Sequence, residues 1–85
     1  MHLALQNAET VHRLVLQGEL LVRTFHSEYE KDAAGAETEF ARGELTGWRN
    51  TLHTVYHDRA EDIVKRVVTS TRLPIPDGEL RSSAA

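Results

Sequence analysis

The stretch "DAAGAET", residues 32 to 38, divides the sequence into two long segments with helical periodicity. On both sides of it, apolar residues recur every three or four positions, as they do along one face of an amphipathic helix. Gly35 can adopt the left-handed conformation that ends many helices, because it has no Cβ. The sequence therefore predicts a helix over about 3–33, a C-cap at Gly35 and a second helix over about 37–71.

The two apolar stripes define the fold and its core. The first consists of Ala4, Ala8, Val11, Val15, Gly18, Val22, Phe25 and Tyr29, and the second of Ala41, Leu45, Trp48, Leu52, Val55, Ile63 and Val67. A chain that reverses at Gly35 brings the stripes together, which predicts an all-α antiparallel helical hairpin. Trp48 offers the largest apolar surface and should be the main anchor, with Gly18 as a notch for its ring. The predicted core is Trp48, Gly18, Phe25, Val22, Leu52 and Val55.

The sequence "RLPIPDGELRSSAA", residues 72–85, predicts a short irregular C-terminal tail. Pro74 and Pro76 cannot continue a helix, and "PDG" is a turn signal. We therefore expect a helical domain over 1–72 and a tail over 73–85.

The first helix is also apolar outside its main stripe. Leu5, Leu16 and Leu20 lie about 100–150° from the stripe around the helix axis, and one hairpin partner covers only one face. Two helices alone make a thin core, and pairing of two hairpins into a four-helix bundle is a common remedy. We therefore predict a homodimer with Leu16 and Leu20 at the interface. Alternatively, these leucines are scattered and exposed, or are covered by "LPIP", residues 73–76, folding back.

Composition excludes several classes of protein. The 85 residues suffice for one small domain, and 40% hydrophobic and 27% charged residues are an ordinary globular mixture. The net charge of −3, with the basic residues interleaved among acids, makes nucleic-acid binding an unfavourable prediction. The absence of cysteine excludes disulfides and thiolate chemistry. We expect no signal peptide, no membrane span and a cytoplasmic location.

The segment "HTVYHDRAED", residues 53–62, has a spacing that occurs in metal sites. On a continuous helix, His53, His57 and Glu61 share one face and could ligate zinc or copper. The same ridge begins and ends with cations, Arg49 and Lys65, which would repel a metal. We favour a solvated helix face with a Glu61–Lys65 pair one turn apart, which explains all five residues.

A second metal-like fragment is "ETVH", in which Glu9 and His12 have the spacing found in carboxylate-bridged di-iron bundles. Glu19, His26 and Glu30 lie on nearly the same side as His12, so that a polar seam is conceivable. No Gly-rich phosphate loop or nucleophile elbow accompanies it. We therefore expect no cofactor, and we favour a non-catalytic protein over an enzyme.

Arg59 interrupts the second apolar stripe between Val55 and Ile63. An unpaired buried guanidinium is costly, so we expect Arg59 to extend to the edge and pair with Asp62, or to contact an acid of a partner. The sequence thus predicts a helical interaction protein that self-associates and binds a protein partner, such as an antitoxin, an inhibitor or an assembly subunit. The alternative is a small metal-binding helical bundle with histidine and glutamate ligands.

Overall fold

The computed structural model describes residues 8–76, which form three α-helices and no strand. Helix α1 spans Ala8–Lys31, α2 spans Ala36–Tyr56 and α3 spans Ala60–Thr71. A 3-10 turn over His57–Arg59 joins α2 to α3. The predicted positions 3–7 of the first helix, including Ala4 and Leu5, lie outside the described residues.

The connection between α1 and α2 is closed by backbone and side-chain hydrogen bonds. The Gly35 N–H donates to the carbonyl of Asp32 (3.0 Å), and the buried Thr38 hydroxyl donates to the same carbonyl (2.6 Å). Gly35 has φ −75° and is the N-cap of α2, so the prediction of a left-handed C-cap there is wrong. The glycine instead provides space, because a Cβ at this position would lie 2.8 Å from an Asp32 carboxylate oxygen.

The predicted second helix is two helices. His57, with φ 47° and ψ −109°, ends α2, and the chain turns before α3 begins. With Trp48 packed against Gly18 and hydrogen-bonded to the carbonyl of Leu14, a straight continuation would carry residues 60–71 past Ala8, the first described residue of α1. The bend instead returns α3 to α1, where its apolar side chains are buried.

One apolar core lies between the three helices. Its buried members are Val22, Phe25, Ala41, Leu45, Trp48, Leu52, Ala60, Ile63, Val64 and Val67. Gly18 is buried beside Trp48, where the sequence predicts it. Val55 is 54% exposed, so its predicted place in the core is wrong. Val55 lies two residues before the break at His57. It would share a face with Ile63 only on a continuous helix, and α2 ends at that break.

The segment after α3 folds back onto the core. Arg72 ends α3 in the left-handed conformation (φ 60°), and its N–H donates to the carbonyl of Val68 at 2.7 Å. Leu73 and Ile75 then pack against the core cluster, and His26 Nε2 on α1 lies 2.8 Å from the carbonyl oxygen of Pro74. Residues 73–76 are therefore attached to α1, while the rest of the predicted tail lies outside the described residues.

Candidate interaction surface

Two leucines of α1 face away from the core. Leu16 is 48% exposed and Leu20 is 66% exposed. One helical turn separates them, so their side chains lie on neighbouring parts of the same face, about 120–180° around the axis from the buried Gly18, Val22 and Phe25. We call Leu16 and Leu20 the outer leucine face. The segment 73–76 packs on the core and leaves both leucines open.

Charged and polar side chains flank the outer leucine face. Arg13 pairs with Glu9 at 3.1 Å, and Arg23 lies 3.9 Å from Glu19, both along α1. These arginine side chains are mostly exposed, so each pair contributes little to stability. An apolar centre with a charged, solvated border is the usual arrangement of a protein–protein contact surface.

A second apolar surface is an open groove of about 320 Å³ between α1 and α2. It is lined by Leu14, Gln17, Leu21, Glu44, Gly47, Trp48, Thr51 and Leu52. At Gly47, a Cβ would meet nothing within 4 Å, so the α2 side of the groove has room for an incoming side chain. The groove has an apolar floor from Trp48 and Leu52 and polar groups at its edges.

Phe40 extends this surface and was not identified from the sequence. It is 66% exposed, and the helical spacing places it on the same face of α2 as the groove residues Glu44, Gly47 and Thr51. It precedes Ala41 of the apolar stripe and therefore falls outside the periodicity that predicts the core residues. A large aromatic residue outside the stripe was the available signal, because a solvent-facing Phe has no structural need for its ring.

The predicted partner residue Arg59 lies on the surface at the end of the 3-10 turn. Its Nε is 3.9 Å from Asp62 Oδ2, and both side chains are at least half exposed. Because the helix breaks at His57, Arg59 no longer lies on the apolar stripe. Its guanidinium group is not buried and therefore needs no partner to compensate its charge. The Asp62 pairing expected from the sequence is present as a loose surface contact.

The three predicted metal ligands are not assembled into a site. His53 Nε2 lies 2.6 Å from Glu61 Oε2, and Arg49 is 3.6 Å from the same oxygen. His57 lies in the 3-10 turn. The helix that would align it with His53 and Glu61 ends before this turn. Within residues 8–76, no three His, Asp or Glu side chains are grouped closely enough to hold a metal ion.

The second metal-like fragment is also dispersed. Glu9 pairs with Arg13, Glu19 accepts a hydrogen bond from the Ser70 hydroxyl (2.5 Å), and His26 contacts the Pro74 carbonyl. Glu19 and His26 thus fasten α3 and the segment after it to α1. Two residues of the predicted polar face of α1, Glu19 and His26, therefore hold parts of the fold together.

Comparison of the chain with protein-family models, with curated proteins and with solved structures finds no match. Among the described residues, no helix combines the length and the apolar character that crossing a membrane requires.

Proposed function

We propose that this chain is a small non-catalytic interaction protein that self-associates and binds a protein partner. The observation that supports the proposal is the exposure of Leu16 and Leu20 on one face of α1. The core lies on the opposite side of α1, and the segment after α3 packs against that core and does not cover the leucines. Complete burial of a leucine side chain is worth about 1.5–3 kcal/mol. Two adjacent leucines, buried on both copies of a symmetric contact, supply a substantial part of the energy of a dimer.

In this dimer, the outer leucine faces of two α1 helices pack against each other. Because the outer leucine face lies opposite the buried face of α1, this contact places the two α1 helices at the centre and the α2 and α3 helices of each copy on the outside, instead of in the four-helix bundle expected from the sequence. The contact is symmetric, so that Leu16 and Leu20 of one copy meet the same residues of the other. The arginines beside the leucines stay at the border, where their charges remain in water.

The oligomeric state tests self-association directly. Light scattering after gel filtration should report about twice the chain mass at tens of micromolar. The double substitution Leu16→Glu with Leu20→Glu places four carboxylates in the interface and should sharply lower the fraction of dimer at the same concentration while the chain stays folded. Val55→Glu is the matched control, because Val55 is equally apolar and 54% exposed but lies on α2.

Circular dichroism establishes that each variant keeps its helices. A wild-type chain that is monomeric under these conditions contradicts self-association. Equal dissociation by Val55→Glu contradicts the assignment of the interface to α1.

The groove between α1 and α2 is the surface we assign to a different protein. Its open apolar floor and its polar edges suit an apolar side chain of a partner helix. Gly47→Gln should fill the groove without disturbing the fold, because a Cβ there meets nothing within 4 Å. Gly43→Gln is the control, since Gly43 is equally open but does not line the groove.

Affinity capture followed by mass spectrometry then compares the two glutamine variants with the unaltered chain. A partner held in the groove is retained by Gly43→Gln and lost by Gly47→Gln. Retention by both variants would contradict the assignment to the groove.

A further inference from the structure

The turn between α2 and α3 depends on an unfavourable backbone conformation. From Trp48 to Leu73 the sequence has no glycine and no proline, and its apolar periodicity continues through the turn. His57 nevertheless has φ 47° and ψ −109°. These angles are close to the first central position of a type II′ turn, which strongly favours glycine. A side chain in this region strains the backbone, and a helical conformation at His57 would remove the strain.

Within one chain, the contacts of Glu61 with α2 are made only while that chain is bent. Glu61 on α3 contacts His53 (2.6 Å) and Arg49 (3.6 Å) on α2. On a continuous helix, these residues would be separated from Glu61 by about 12 Å and about 18 Å along the axis, since each residue rises 1.5 Å. Glu61 therefore acts as a latch between α2 and α3.

The contacts of α3 do not depend on which copy of the chain supplies it. Its buried face consists of Ala60, Ile63, Val64 and Val67, and it packs on α1 and α2. Ser70 adds a hydrogen bond to Glu19 on α1. A second copy presents the same α1 and α2 surface, and α3 of the first copy fits it equally well.

We propose that two copies of this chain exchange α3. His57 takes a helical conformation, α2 and α3 become one helix, and each α3 packs in the place that the partner's α3 has left. The exchanged dimer keeps the buried contacts of α3, makes the Glu61 contacts between copies instead of within one chain, and loses the strain at two turns. Exchange of an identical element is a low-cost route to a dimer. It does not use the outer leucine face and is independent of that interface.

Substitutions at His57 test the exchange, because the two states require different backbone angles there. His57→Gly removes the strain of the bend and should favour the closed monomer. His57→Ala favours the continuous helix and should dimerise more tightly, with a dissociation constant about tenfold or more below that of His57→Gly. Both variants carry Leu16→Glu and Leu20→Glu, so that dimerisation through the outer leucine face does not contribute.

The latch provides a second pair of variants. Glu61→Ala removes contacts that the closed chain makes internally and the exchanged dimer makes between copies, and should change the dimer fraction no more than Asp62→Ala does. Asp62→Ala is the control, because its loose pair with Arg59 spans three residues and does not cross from α2 to α3. Equal dimer fractions in His57→Gly and His57→Ala, no dimer in either up to millimolar concentration, or a larger effect of Glu61→Ala than of Asp62→Ala would overturn the proposal.

A distance measurement distinguishes exchange from any other dimer. Cysteines introduced at Gly43 and Thr69, both exposed, carry spin labels on one chain, which is refolded with an excess of unlabelled chain. Because most dimers then contain only one labelled chain, the measured distance is the one between positions 43 and 69 of the same chain. On a continuous helix, the two backbone positions are about 39 Å apart, whereas in the bent chain they belong to helices that both fold along α1. A long distance in the dimer of His57→Ala is expected, and a short one contradicts exchange.

Discussion

The indole ring of Trp48 lies directly on the backbone of Gly18, so that a methyl group at Gly18 would overlap the ring. The ring nitrogen donates a hydrogen bond to the carbonyl of Leu14, one helical turn earlier, at 3.2 Å. The indole thus covers a full turn of α1 and holds α2 close to it. This contact requires a residue without a side chain at position 18, whereas Gly43 and Gly47 have open space beside them.

We expect alanine to have opposite effects at these glycines. Gly18→Ala should lower the free energy of unfolding by about 1–3 kcal/mol, because Trp48 must move in a packed core. Gly43→Ala and Gly47→Ala should each raise it by up to about 1 kcal/mol, because alanine restricts the unfolded chain and favours the helix. Urea denaturation measures all three. A neutral Gly18→Ala would show that α1 and α2 are not in close contact at this point.

Trp48 should be the most sensitive position of the core. Trp48→Ala removes the ring from a site that is only 6% exposed and should cost about 3–5 kcal/mol. That is enough to unfold so small a domain. Trp48→Phe keeps an aromatic ring but loses the hydrogen bond to Leu14, and its cost should be smaller. Thermal unfolding followed by circular dichroism compares them, and a cooperative transition of Trp48→Ala close to that of the unaltered chain would contradict the anchor role.

Leu52 and Val55 test where α2 leaves the core. Leu52 is 1% exposed and Val55 is 54% exposed, although the sequence places both on one stripe. Leu52→Ala should cost about 2–5 kcal/mol, whereas Val55→Ala should change stability by less than about 0.5 kcal/mol. Denaturant midpoints of the two variants give the comparison. Similar large losses would indicate that the helix continues through His57 and buries Val55.

The sequence alone determined the helical class, the position of the first turn and most of the core. These features follow from local causes. Apolar residues at helical spacing must face one way, and the periodicity stops at 32–38. Trp48 and Gly18 were paired from the same spacing, because a hairpin about Gly35 leaves few other partners for so large a ring.

Only the tertiary structure decided the second turn. No glycine or proline marks it, and the periodicity from Ala41 to Val67 is that of one helix. The bend at His57 is locally unfavourable, and it is compensated by the burial of Ile63, Val64 and Val67 on α1. Such a balance between backbone strain and distant burial has no local signature. The same bend exposes Val55, places His57 in the turn and brings Glu61 to His53. The arrangement of the predicted metal ligands therefore also depends on packing that sequence spacing does not contain.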